Sequence, residues 1–259
     1  SFMRVPEFAH PVLRDYLIRV VPRSVQRADL VLADSACTRQ DVIELLRVPE
    51  DRVRVVHAAV EGRFRRVTDP EALAQVRQRY GLQRPFILGL GTLEPRKNFG
   101  GLIEAYGRLR QQRELAHELV IVGGKGWLYE PIFDKVRACG LEDWVRFPGY
   151  VADADLPAVY SLAGCFAYPS YYEGFGIPAL EAMACGTPVV ATRTSSLPEV
   201  AGEAAVLVDP YDLDEIAQAL DGTLHDEGLR ARLQAAGPPQ AARFTWERAA
   251  RAPYRDVVR

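Results

Sequence analysis

Between about residue 68 and residue 191, short continuous apolar runs alternate with stretches of helical spacing, and this alternation limits the fold more than any other property of the chain. The runs lie at 85–90, 118–122, 145–147, 165–168 and 187–191, and the helical stretches near 70–80, 98–112, 128–139, 154–163 and 177–185. A strand buried on one face alternates apolar with polar residues, whereas a strand buried on both faces is apolar throughout. The pattern therefore predicts a doubly wound α/β domain, a parallel sheet covered by helices on both sides. In such a sheet the ligand sits beyond the carboxyl ends of the strands.

Upstream the pattern is thinner. Residues 8–27 read as helical, with Leu13, Leu17, Val20 and Val21 set among Arg14, Arg19, Arg23 and Arg27. A strand at 29–33, a helix to about 46 capped by Ser35 or Thr38, and a strand at 53–56 come next. This piece is too small to fold alone and reads as the tail of a larger domain. Residues 212–259 read as mostly helical, with a break at Gly237-Pro238-Pro239.

A net charge of −2 over 259 residues gives no electrostatic case for nucleic acid. Cys37, Cys139, Cys165 and Cys185 are far apart in mostly apolar surroundings, and buried free thiols in a reducing cytosol are expected. The four histidines show no metal-ligand spacing. Asp153-Ala154-Asp155 precedes a helix, so capping rather than metal binding is expected of it. The arginines of 8–27 suit either a solvated helix face or a peripheral contact with an anionic membrane surface.

Two loops after strands hold what a phosphorylated ligand needs. Gly89-Leu90-Gly91-Thr92-Leu93-Glu94-Pro95-Arg96-Lys97-Asn98 places two cations before a helix start, and Lys97 is one of only three lysines among 32 basic residues. Glu94 stands where a dinucleotide fingerprint needs its third glycine, and no glycine precedes Lys97 as a Walker A loop requires. The second loop, Tyr172-Glu173-Gly174-Phe175-Gly176-Ile177-Pro178, enters a helix that carries Glu181. Its glycines would open backbone donors to an anion, and the two carboxylates would accept bonds from sugar hydroxyls. Taken singly, Glu173 reads more readily as a turn residue and Glu181 as a solvated helix residue.

The block E-G-F-G-I-P-x-x-E-A-M-A-C-G-T-P-V-V from Glu173, with seven residues between Glu173 and Glu181, resembles the signature of family 4 glycosyltransferases. The runs G-T-L-E-P-R-K-N, G-K-G-W and F-P-G-Y-V are similar to the same family in the same order. The resemblance implies the GT-B fold, two Rossmann-like domains facing across a cleft. It divides the chain into a remnant of the N-terminal acceptor domain with its linker (1–60), the donor-binding domain (61–238) and a helix crossing back (239–259). It implies a metal-independent hexosyl transfer with retention, from a nucleoside-diphosphate sugar that is a substrate and not a cofactor. Lys97 and Glu173 are the candidate catalytic residues, Lys97 on the diphosphate and Glu173 on the transferred sugar. Gly91, Thr92, Arg96, Gly174, Phe175, Gly176 and Ile177 would complete the sugar-diphosphate site. Glu181 would hold the ribose, and Gly149, Tyr150 and Val151 would lie along the base. Many members carry arginine where Thr92 stands, which puts the role of Arg96 in question.

The G-T-L-E-P-R-K-N run is similar to that of bacterial polysaccharide mannosyltransferases, which leans towards GDP-mannose, with a UDP-sugar as the alternative donor. The acceptor would be a saccharide or lipid-linked saccharide, and the place of action the cytoplasm or the inner face of its membrane. By that alignment the family's cleft histidine falls before Ser1, so a donor-binding fragment unable to transfer sugar is one alternative. A nucleotide-sugar epimerase of the same fold is another. A nicotinamide-binding domain fits poorly, because the glycine fingerprint fails.

Overall fold

The computed structural model describes residues 2–257, with side chains to residue 251. Among the described residues eight strands are formed: β1 (Val31–Ala33), β2 (Val53–Val55), β3 (Phe86–Leu90), β4 (Glu118–Val122), β5 (Val145–Gly149), β6 (Cys165–Tyr168), β7 (Val189–Thr192) and β8 (Ala205–Val208). The last six make one parallel sheet in the order β5-β4-β3-β6-β7-β8. The chain winds outward from β3 in one direction and from β6 in the other, so the strand order reverses between these two neighbours.

Period-two geometry with cover on both faces explains the unbroken apolar runs. Leu88, Val120, Phe166 and Ala191 face one cluster, with Tyr160 and the helix Ile177–Ala184. Their neighbours Ile87, Ile121, Ala167 and Val190 face the other, with the helices Phe99–Gln112 and Leu213–His225. Helix ends obey local chemistry. Asp69 caps Pro70–Tyr80 at its start through the Glu71 amide, and Gly81 closes it at φ 68°, where a side chain would be strained.

The upstream piece forms β1 and β2 as a parallel pair joined by the helix Ala36–Leu46, with a small core of Ala33, Val42, Leu46, Val48 and Val53. Ser35 caps that helix by accepting from the Thr38 amide at 2.9 Å. The long helix Pro11–Arg27 has no fully buried residue, and Val12, Leu13, Tyr16 and Ile18 are exposed. Among the described residues no helix is long and apolar enough to cross a membrane.

Four expectations are corrected. The helix Glu227–Ala241 runs through Gly237-Pro238-Pro239 without a break. The prolines fall in its last turns, and the helix lies so close to Ile177–Ala184 that a Cβ on Gly237 would stand 2.9 Å from the Met183 carbonyl oxygen. Asp155 makes no cap bond; its carboxylate accepts from Tyr80 Oη at 2.7 Å and pairs with Arg79 at 2.6 Å. The strand β8, on the apolar run 204–208, and the short helix Leu197–Ala201 are elements between residue 191 and residue 212 that were not expected. All four cysteines are free, but only Cys165 and Cys185 are buried, and burial pushes both thiols up to about 12. The final helix spans Trp246–Val257; Val258 lies outside the described residues.

Local stability should track this difference in burial. Amide hydrogen exchange is expected to be slow over 86–90 and 118–122, in the middle of the sheet, and fast over 31–33 and 53–55, where two three-residue strands have only each other. Equal protection of the two regions would contradict it.

Candidate active site

The loops leaving β3 and β6 meet at the point where strand order reverses, the position at which open α/β sheets bind ligands. They are tied directly, since the Tyr171 amide donates to the Arg96 carbonyl at 3.0 Å. Lys97 sits in a single turn of helix, Pro95–Lys97, which ends at Asn98 in the left-handed region at φ 53°. Asparagine tolerates that conformation better than most residues, and here its side chain is also used throughout. Asn98 Oδ1 accepts from the Gly101 amide, capping the next helix, while Nδ2 donates to the carbonyls of Pro169 and Pro210 at 3.2 and 2.9 Å. One buried amide thus fastens the loops after β3, β6 and β8.

On this frame Lys97, Arg96 and Glu173 converge. Lys97 Nζ lies 2.8 Å from Glu173 Oε1 and donates to Tyr168 Oη at 2.8 Å. Arg96 Nη1 lies 2.8 Å from Glu173 Oε2 and donates to the Tyr172 carbonyl at 2.7 Å, and Nη2 donates to Glu94 Oε1 at 2.5 Å. Lys97 is 8% exposed and Glu173 7%. Burial by itself would raise the Glu173 carboxyl, but the Lys97 ammonium and the Arg96 guanidinium outweigh it and hold the group below the usual carboxylate range. Arg96 therefore points into the cluster, while Thr92 is exposed and its methyl crowds Gly126 of the neighbouring G-K-G-W loop.

Close approach explains the glycines. Gly91 has φ 146°, and a Cβ there would press on the Lys97 side chain at 3.2 Å. Gly123, at φ 149°, admits no Cβ at all, since it would fall 1.9 Å from the Gly91 carbonyl oxygen. The Gly123 amide donates to the Gly149 carbonyl at 2.9 Å, so the backbones at 91, 123 and 149 form a continuous floor along the ends of β3, β4 and β5. Past it, Tyr150 is 72% exposed with its hydroxyl donating to Asp153 at 2.9 Å, while the Val151 side chain is in the core.

In the second loop, Gly176 takes φ 109° against Leu197, and the Phe175 ring is buried between His57 and Phe244. Only the backbone of Phe175 is therefore placed to meet a ligand. Ile177 opens the helix half-exposed. One turn further, Glu181 Oε2 accepts from Tyr160 Oη at 2.9 Å, and burial raises its carboxyl above the usual range. The two glutamates thus stand at separate stations, Glu173 with the cations and Glu181 with a tyrosine, under the electrostatic influence of Arg63, Glu61 and Asp153.

Several supporting residues escaped the sequence reading. Ser195, at φ 55°, accepts from the Glu173 amide at 2.9 Å, and buried Ser196 donates to the carbonyls of Glu173 and Phe175 at 3.0 and 2.7 Å. Their signal was available: Thr194-Ser195-Ser196 comes after the apolar run of β7, at the same end of the sheet as the other two loops. Tyr160 and Tyr168 gave no such signal, because their partners are brought close only by folding, whereas Glu94 holds Arg96 from two residues away in the same loop. The upstream piece also touches the site. Ser35 Oγ and Thr38 Oγ1 donate to the Gly174 carbonyl at 2.7 and 3.2 Å, and Tyr172 Oη bonds Asp41.

The six-stranded parallel sheet, wound in opposite directions from β3 and β6, is the fold of GT-B glycosyltransferases. Residues 74–239 match the family model described as "Glycosyl transferases group 1", and the chain belongs to that family. It is 39% identical to O-antigen chain mannosyltransferase B of Escherichia coli over 249 residues, covering 95% of this chain and 65% of that protein. It is 32% identical to mannosylfructose-phosphate synthase of Agrobacterium fabrum, covering 84% and 50%. In structure it is similar to sucrose-phosphate synthase from Thermosynechococcus elongatus, with a TM-score of 0.79, 26% identity, and coverage of 94% of this chain and 62% of that one. The chain thus spans less than two thirds of the length of each of these relatives.

Replacing Asn98 tests how far the site depends on its frame. Asn98→Ala removes a cap and leaves the carbonyls of Pro169 and Pro210 without that donor. It should lower unfolding free energy by roughly 1–3 kcal/mol in urea titration. A loss under a few tenths would show that the three loops hold their places without it.

Proposed function

We propose that this chain supplies the donor half of a retaining hexosyltransferase. It would bind a nucleoside-diphosphate sugar across the ends of β3, β5 and β6 and pass the sugar to a saccharide or lipid-linked acceptor. The observation that carries the reading is the convergence of Lys97, Arg96 and Glu173 at the divide of the sheet. Lys97 and Arg96 give two cations within reach of one anion, enough to neutralise charge developing on a departing diphosphate without a metal. The amides of Gly174, Phe175 and Gly176, at a helix start, add backbone donors.

The remaining roles are assigned by position. Glu173, beside the cations, meets the sugar hydroxyls near the reacting carbon; Glu181, one helical turn on, holds the ribose. The base lies over Gly149, Tyr150 and Val151, where the exposed Tyr150 ring is available. Gly91 and Thr92 flank the diphosphate, and Ile177 borders the cleft. In this reading residues 1–60 belong to the acceptor-side domain and its linker, 61–238 to the donor domain and 239–259 to the returning helix. The contact of Phe244 with His57 and the Val60–Phe244 backbone bond support the last assignment.

GDP-mannose is the donor favoured by the similarity to the Escherichia coli mannosyltransferase. A UDP-sugar is the competing choice, since the solved structure of Anabaena HepE with UDP-glucose is similar at TM-score 0.78 and 24% identity. A thermal-shift panel of nucleoside diphosphates and their sugars separates the two, because a ligand of the folded state raises its melting temperature. Action at the cytoplasmic face of a membrane would suit a lipid-linked acceptor and the arginines of Pro11–Arg27.

Two outcomes are expected. Lys97→Ala should weaken nucleoside diphosphate binding by roughly 1.5–3 kcal/mol and leave bare nucleoside binding nearly unchanged, as calorimetry would show. Equal losses would remove Lys97 from the diphosphate. The second concerns pH. A ribose hydroxyl is held more strongly by the ionised form of Glu181 than by the neutral acid, and burial raises that group's pKa. Nucleoside affinity should therefore fall on acidification at a higher pH than for an ordinary glutamate, and Glu181→Gln should abolish that acid limb. A limb that survives in the variant would assign it to another group.

A further inference from the structure

Resting on the reading above, we propose that Glu173 is also the residue by which the site selects a donor still carrying its sugar over the spent nucleoside diphosphate. Both site cations are already engaged, each by one oxygen of the same carboxylate: Lys97 by Oε1 and Arg96 by Oε2, both at 2.8 Å. With Glu94 paired to Arg96 as well, the two positive and two negative charges of this cluster cancel. A diphosphate approaching this loop meets no surplus positive charge. It can reach the remaining N–H groups of Lys97 and Arg96 beside Glu173, but it gains the two bonds that this carboxylate holds only by replacing it, because phosphate oxygens and carboxylate oxygens seek the same N–H groups.

The penalty for that replacement differs between the two ligands. A displaced Glu173 is a buried carboxylate without its cations, a costly state unless new donors reach it. Sugar hydroxyls are such donors, and the intact substrate brings them beside its own diphosphate. A free nucleoside diphosphate brings none, so it bears the whole cost of the exchange. The same carboxylate thus weakens the product relative to the substrate, which favours release after transfer. Ser195 and Ser196 fix the Glu173 backbone, so the exchange is a movement of the side chain alone.

Glu173→Gln keeps the shape and removes the competing charge. Calorimetry on wild type and variant, with GDP against GDP-mannose and UDP against UDP-glucose, reads the effect. Wild type should prefer the sugar conjugate by tenfold or more. The variant should bind the bare diphosphate at least tenfold tighter than wild type does, and its preference for the conjugate should shrink towards unity. If Glu173→Gln binds the diphosphate no better than wild type while Lys97→Ala still weakens it, the selection role is overturned and the donor site stands. If neither pair binds wild type or variant, the donor site itself is wrong. Should the variant unfold without ligand, melts with diphosphate or nucleoside decide the point. Rescue by the diphosphate alone supports the exchange; no rescue overturns it.

Discussion

The reversal of strand order between β3 and β6 is the constraint from which the site arises. Two neighbouring parallel strands whose connections leave in opposite directions cannot have their top edges closed by the same helix, so a crevice opens above them. Whatever the loops carry is brought face to face there. In this chain one loop carries two cations and the other a carboxylate, and all three are largely shielded from water. Burial of a lone charge at such a place would be severely unfavourable, and the three remain ionised together because each has a partner at hydrogen-bonding distance. Glu94 completes the set by holding the far side of the Arg96 guanidinium.

Much of this was legible in the amino-acid order. Unbroken apolar runs require a sheet covered on both faces, and the five runs read from the sequence became β3 to β7 with small shifts at their ends. Both ligand loops were recognisable because glycine and charge after a strand have few other uses. The strand β8 was missed although residues 204–208 are an unbroken apolar run between Glu203 and Asp209-Pro210, the same signal that marked the other strands. Gly237-Pro238-Pro239 misled for a tertiary reason. Close packing on the helix of Glu181 keeps the last turns helical where local preference alone would end them.

The side of the cluster on which the second cation stands was undecidable from sequence. Position 92, where many members of the family carry arginine, faces outward and holds threonine. Arg96 reaches the same carboxylate as Lys97 from inside the single turn Pro95–Lys97, and three acceptors fix its planar fork: Glu94, the Tyr172 carbonyl and Glu173. Its direction is set by Glu94 and Tyr172 together, one before it in the same loop and the other across the crevice. No one-dimensional spacing rule encodes a guanidinium held from two strands.

The stretch matched by the family model, residues 74–239, is not the physical limit of the site. The Gly174 carbonyl, in the middle of the glutamate loop, is satisfied by Ser35 and Thr38. Glu199, in the helix after Ser196, accepts from the Ala36 amide at 2.9 Å and lies 2.6 Å from His57 Nε2. A carbonyl left unpaired in a partly buried loop would cost about 1–3 kcal/mol, comparable to the contacts that separate one ligand from another. The glutamate loop is therefore shaped from both sides. Its strand-borne anchors come from β6 and β7, and its outer wall from a helix start beyond β1. Movement of residues 35–57 relative to the six-stranded sheet would change the hydrogen bonding of Gly174 and Glu199 at once, which makes the geometry beside Glu173 sensitive to how the two pieces sit together.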